Sequence, residues 1–244
     1  MKKTLIAILL LCLVHGIYAQ DSTSVKKFGA FNSVEIGVMF APQYNFRTFS
    51  FEGQLGADNY QGISKQRNGD EGIFGVNLGL RVSLFLHQNM GIEFGMGYSK
   101  KGYLHDAVKS TIANALIYER YDILYRNHYI DIPVKFVART SGKRLRFRAS
   151  LGLVTQVFIE AQKVRTITPV GDDSYQKEEP VDKNPINLAP TVSVGLDVTV
   201  TPKFGLRLEP MFQHQLFKTD NEALEVRYWQ VGVGLTAYFN RAGQ

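Results

Sequence analysis

The chain has 244 residues, 45% of them hydrophobic and 20% charged, with a formal net charge of +6. That length allows one large domain or two small ones. A charge this modest, with no basic stripe, excludes the electrostatic footprint of a nucleic-acid-binding protein.

The first element is a leader. Lys2 and Lys3 form a positive n-region, Leu5 to Val14 an apolar h-region, and Ile17-Tyr18-Ala19 a cleavage site. A cleaved signal peptide is therefore predicted over residues 1–19, with residues 20–244 as a single domain. The apolar stretch is too short for a spanning helix of about 20 residues. Cys12 follows Leu9-Leu10-Leu11 and lacks the small preceding residue of a lipobox, so it leaves with the leader. The remaining chain then has no disulfide or thiolate chemistry. Loss of Lys2 and Lys3 lowers the net charge by two, to +4.

No later apolar run is long enough for a spanning helix. Eight segments instead alternate with the two-residue period of a strand. The first, about Ser33 to Tyr44, sets Val34, Ile36, Val38 and Phe40 against Glu35, Gly37, Met39 and Ala41. The second, Gly72 to His87, is the clearest. Phe74, Val76, Leu78, Leu80, Val82, Leu84 and Leu86 share one face; Gly75, Asn77, Gly79, Arg81 and Ser83 share the other. The third runs Met90–Tyr103, the fourth His128–Ala138 and the fifth Arg144–Glu160. The sixth runs Ile186–Val200, the seventh Phe204–Phe217 and the eighth Val226–Asn240. An apolar face continuous over about 13 residues, backed by a polar and glycine-rich face, is the form of a transmembrane β-strand. Pro133 and Pro190 lack an N–H, so each predicts a bulge or local unpairing.

Connections alternate between short and long. His87-Gln88-Asn89, Thr140 to Lys143 and Thr201-Pro202-Lys203 are tight turns. Asn45–Glu71, Leu104–Asn127 and Ala161–Pro185 are long, and Lys218–Glu225 is intermediate. Bacterial barrels put short turns in the periplasm and longer loops outside. The expected fold is all-β: an eight-stranded antiparallel transmembrane up-and-down β-barrel, integral to the outer membrane, with both termini periplasmic. Trp229, Tyr98, Tyr103 and Phe212 are expected at an outer aromatic girdle, and Phe147, Phe204 and Phe239 at an inner one. The charged segment Pro169 to Pro185 reads as a mobile, solvated loop.

An eight-stranded barrel is just wide enough to be filled by side chains. Here the inward acids are Glu35, Glu93, Asp131, Asp197 and Glu209. The inward bases are Arg81, Lys135, Arg144, Arg146, Arg148 and Arg207. Buried charges require partners, so the near balance of signs predicts an interlocked ion-pair layer in the periplasmic half. Its central bases are Arg148 and Arg207, with Glu93 and Glu209 as their carboxylates. The layer fits two roles, a plug or a charged constriction that selects ions. Gly95 and its neighbours make room for large inward side chains such as Arg81.

Catalytic and cofactor sites are not expected. No Gly-x-Ser-x-Gly elbow or His-Glu-x-x-His helix is present. Asp172-Asp173 and Glu178-Glu179 lack the spacing of a calcium loop and read as solvated charge. Gly91-x-x-x-Gly95-x-Gly97 lies inside a strand, not at a strand-to-helix turn, so it is no phosphate loop.

Three stretches carry a family resemblance. These are Gly91 to Gly102 (GIEFGMGYSKKG), Tyr129 to Phe136 (YIDIPVKF), and the closing Trp229 to Phe239 (WQVGVGLTAYF). Together they resemble the PorT-like outer-membrane β-barrel family of the Bacteroidetes. The resemblance implies a barrel without a catalytic motif, whose namesake is linked to protein secretion across the outer membrane. The expected function is thus a small non-enzymatic outer-membrane barrel, monomeric, with a filled lumen and exposed loops. It would have a structural role or support envelope assembly or secretion, with outer-membrane lipid and an envelope or secretion-system protein as partners. The alternatives are a narrow passive pore and a soluble secreted ligand-binding barrel.

Overall fold

Alternating sequence of this kind can satisfy its backbone in a membrane only by closing into a cylinder, where every strand has two neighbours. The computed structural model describes residues 33–50, 70–111, 118–168, 173, 175–181, 183–217 and 225–242. The expected signal peptide lies outside these residues. Among these residues nine strands run in chain order: β1 (Ser33–Ser50), β2 (Asp70–His87), β3 (Met90–Thr111), β4 (Tyr118–Arg139), β5 (Leu145–Thr168), β6 (Tyr175–Pro180), β7 (Ile186–Thr201), β8 (Phe204–His214) and β9 (Glu225–Ala242). All pairings are antiparallel.

Eight strands close a ring. β1 pairs with both β2 and β9, β4 with β5, and β5 with β7. Register fixes the stagger. A walk from Glu35 passes through Ser83, Glu93, Lys135, Gly152, Thr191, Gln213 and Gln230. It returns to β1 at Asn45, ten residues further along. A stagger of this size requires strongly tilted strands, about 35–45° in closed barrels.

The expected eight-strand ring is present, but several strands are longer than their alternation suggested. β3, β4 and β5 have 22, 22 and 24 residues, whereas about 9–11 tilted residues cross a membrane. Their loop ends pair on past the last contacts with β2 and β7, as far as Thr111↔Tyr118 between β3 and β4 and Arg120↔Thr168 between β4 and β5. β6 pairs with β5 at its edge, so Tyr175–Pro180, within the segment read as a mobile, solvated loop, is a strand whose side chains from Gln176 to Pro180 are largely exposed. The cause is pairing: Gln162 to Ile167 meets Tyr175 to Pro180 residue for residue, although neither segment has an apolar face.

Three local details also differ. Strict alternation from Arg148, Ser150 and Gln156 would carry Glu160 inward, but a bulge where His128 faces Glu160 and Tyr129 faces Phe158 inserts one residue, so Glu160 turns outward. Arg144 lies in the turn before β5 and is exposed, not inward. Pro133 produces unpairing but no bulge. Its ladder to β3 opens between Phe94↔Val134 and Gly97↔Asp131 without a change of register, while its pairing with Val154 of β5 continues.

Side-chain burial is inverted relative to a soluble protein. Phe136, Leu151 and Val194 are 72%, 63% and 60% exposed, while Glu93 and Asp197 are 1% and 0% exposed. Outward aromatics gather at two levels. At the loop end Trp229 stacks on Phe46 at 6.3 Å and touches Phe212 at 5.2 Å, its indole N–H donating to Thr48 at 2.8 Å. At the turn end Phe204 meets Phe239 at 5.4 Å. Tyr103, expected in the girdle, is instead buried in the lumen, since it shares the inward parity of Ser99 and Lys101.

Candidate functional site

Inward positions along each strand sort the lumen into tiers. On β1 they run Glu35, Gly37, Met39, Ala41, Gln43 and Asn45 from turn end to loop end. The first tier is ionic and the second apolar, where Met39, Ala41 and Met211 cluster. The third is amide-rich, with Gln215 donating to Gln156 at 2.5 Å. Tyrosines close the loop end. Tyr103 stacks on Tyr125 at 4.5 Å and lies 5.9 Å from Tyr228, with the Arg47 guanidinium 3.7 Å from the Tyr103 ring.

The ionic tier centres on Arg207. Each of its three guanidinium nitrogens meets a different carboxylate: Nε donates to Asp197 at 2.6 Å, Nη1 to Glu93 at 3.1 Å and Nη2 to Glu35 at 2.7 Å. Strand register explains the Asp197 contact, since Asp197 and Arg207 are direct cross-strand partners. Glu93 also accepts from Arg148 at 2.5 Å and from the Ser83 hydroxyl at 3.0 Å, with Lys135 at 3.7 Å. Glu35 further takes Arg139 at 2.5 Å and Arg146 at 3.8 Å. Charge-assisted pairs of this kind are the strong ones in a dry interior.

The expected members do not all join. Arg148 and Arg207 both meet Glu93, but Glu209 meets neither arginine directly. It lies 3.8 Å from Lys135 and accepts from the Ser150 and Ser193 hydroxyls. Asp131 stands apart, held by Lys101 at 3.1 Å and by the Asn77 amide at 2.8 Å. Arg146 is peripheral and also donates to the Tyr238 hydroxyl at 3.1 Å. Arg81 is buried but makes no ion pair among the described residues; its Nη1 donates to the Leu80 carbonyl at 3.0 Å. Residue-level reading missed Arg139 and Lys101. Both continue the inward parity past the last residues assigned, Lys101 one step beyond Ser99 and Arg139 two steps beyond Lys135, through Val137.

The inverted burial, the closed ring and the two aromatic levels now meet a sequence comparison. Residues 18–206 match the model of the family described as Outer membrane protein beta-barrel domain. This chain belongs to that family. It is an integral outer-membrane β-barrel protein. No curated protein matches it. Similar solved structures include the outer membrane protein OprG from Pseudomonas aeruginosa, at 8% identity and TM-score 0.45, covering 87% of this chain and 97% of that one. Ail of Yersinia pestis matches at 12% identity and TM-score 0.35, covering 85% and 98%. The outer membrane protease OmpT from Escherichia coli matches at 10% identity and TM-score 0.37, covering 90% and 100%.

Proposed function

We propose that this barrel is a non-enzymatic, structural component of the outer membrane whose lumen is plugged and whose loop-end sheet contacts an envelope partner. The observation that carries the plug is the Arg207 guanidinium bound to Glu35, Glu93 and Asp197 across the barrel interior. Three carboxylates from β1, β3 and β7 are thereby tied through β8, so the tier cannot open without separating buried ions. Among the described residues each lumen carboxylate, Glu35, Glu93, Asp131, Asp197 and Glu209, is engaged by a cation, which supports a structural role for the tier. The tight turns and both termini are assigned to the periplasm, and the extended β3–β6 sheet to the exterior. On the PorT-like resemblance, the partner is a protein of envelope assembly or secretion, and the barrel itself is monomeric.

Planar-bilayer recording separates this reading from a pore. The expected result is no steady large conductance; such a conductance would replace the plug with a charged constriction. Crosslinking from the loop-end sheet in cells identifies the partner, and absence of any specific adduct counts against the partner role.

A further inference from the structure

At the tight-turn mouth the ring is not sealed flush. A cleft of about 390 Å³ opens there, lined by Arg139, Thr140, Ser141, Arg146, Asn89 and Asn240 among others, and no carboxylate of the described residues lines it. The nearest acid, Glu35, is buried and already shared by three guanidiniums: Arg139 at 2.5 Å, Arg207 at 2.7 Å and Arg146 at 3.8 Å. Arg207 is also answered by Glu93 and Asp197, so the single charge of Glu35 is what Arg139 and Arg146 share. Lys143 and Arg144, exposed in the adjoining turn, add to the field.

The cationic wall is also held in place. Arg139 Nε donates to the Gln88 carbonyl at 2.9 Å, and its guanidinium lies 3.4 Å from the Phe85 ring centre. Arg146 is fixed through its bond to the Tyr238 hydroxyl at 3.1 Å. On the rim, the Ser141 hydroxyl donates to the Asn89 side-chain carbonyl at 3.1 Å, so neutral hydrogen-bonding groups from the β2–β3 and β4–β5 turns stand beside the guanidiniums. Planar guanidiniums held by other contacts, with small hydroxyl and amide groups beside them, suit oxyanion recognition.

We propose that this turn-end cleft is a binding site for a small oxyanion, of which phosphate is the simplest form. The cleft has room for the group and for part of the molecule bearing it. Because the guanidiniums of Arg139 and Arg146 stand inside the mouth of the ring, a soluble ligand reaches them more directly than a lipid headgroup outside the ring.

Calorimetric titration of the detergent-solubilised barrel with inorganic phosphate at low ionic strength tests the site. Saturable binding is expected, with at least a tenfold loss of affinity in Arg146→Gln and partial rescue in Arg146→Lys. Lys177→Gln, on β6 at the other end, should bind as the parent does. Arg139→Gln removes a partner of Glu35 and can disturb folding, so Ser141→Ala and Asn89→Ala serve as the second test, each weakening phosphate severalfold. Lack of saturable heat in the parent overturns the proposal. So does parental affinity in all of Arg146→Gln, Ser141→Ala and Asn89→Ala. Affinity unchanged in phosphatidylglycerol nanodiscs assigns a soluble ligand; binding lost only there assigns the headgroup, and both support the site.

Discussion

Arg207 holds Glu35, Glu93 and Asp197 at once, yet its loss falls unequally on them. Glu35 retains Arg139 and Arg146, and Glu93 retains Arg148 and Lys135. Asp197 has no other ion-pair partner among the described residues and is fully buried. Arg207→Met is therefore expected to cost about 3–5 kcal/mol, the range for stranding a buried charge. Adding Asp197→Asn should recover a large part of it. Urea unfolding in lipid vesicles measures both, and equal stability of the single and double variants would contradict the assignment. Gly95 poses a steric question at the same scale. A Cβ there would meet Arg81 Nη1 and the Leu80 carbonyl, each at 2.6 Å. Gly95→Val should destabilise by about 1–3 kcal/mol through overpacking, visible as a lower unfolding midpoint. Inward parity made most lumen charges legible from sequence, with Glu93 as a carboxylate for Arg148 and Arg207, but not the rest of the pairing. Arg81 has the same parity and burial as its ion-paired neighbours and still, among the described residues, bonds only to backbone, because which side chains meet depends on the stagger of the ring.

Within a strand, adjacent residues belong to different solvents. Val194 faces lipid, whereas Ser193 touches Ser150 and Glu209 in the lumen. Val194→Arg, and likewise Leu80→Arg, should cost about 2–4 kcal/mol near mid-membrane and impair assembly. Ser193→Arg should instead act by crowding the ionic tier. Equal tolerance of the three, measured by folded fraction in lipid vesicles, would reject the assigned faces. β6 invites a pH test. The Lys177 ammonium, 3.0 Å away, holds the Glu179 carboxyl below its ordinary range by hydrogen bond and charge. A lowered pKa stabilises the paired state above the ordinary carboxylate value, and that contribution fades as pH falls through the lowered one. Protection of β6 amides, corrected for the intrinsic pH dependence of exchange, should thus be flat from pH 6 to 8 and fall, modestly, only in acid. This strand escaped the sequence reading because it is polar on both sides: it has no hydrophobic period to announce it, only a partner in β5.

At the scale of the molecule, the ring and its lipid-facing surface make one thermodynamic unit. Every ring strand is paired on both edges, so local opening at the turn end must break either the Arg207 network or a strand pair. The barrel should remain folded in cold detergent and shift its gel mobility on boiling; identical mobility before and after heating would argue against a closed cylinder. The prolines show how such a wall tolerates a missing donor. Beside Pro133 the ladder opens towards β3 but holds towards β5, so closure is kept by the opposite edge.

Period-two alternation alone determined that this chain forms strands with an oily side and an ionic side, and the contrast of tight turns with long connections paired them into an up-and-down order. Both are local properties, written in neighbouring residues. Which guanidinium meets which carboxylate, where β3, β4 and β5 continue past the membrane, that Tyr103 and Glu160 exchange their expected sides, and that a cationic cleft remains at one mouth were decided only when the ring closed. The ten-residue stagger and a single bulge place residues far apart in sequence at one level, and no pattern along the chain encodes that level.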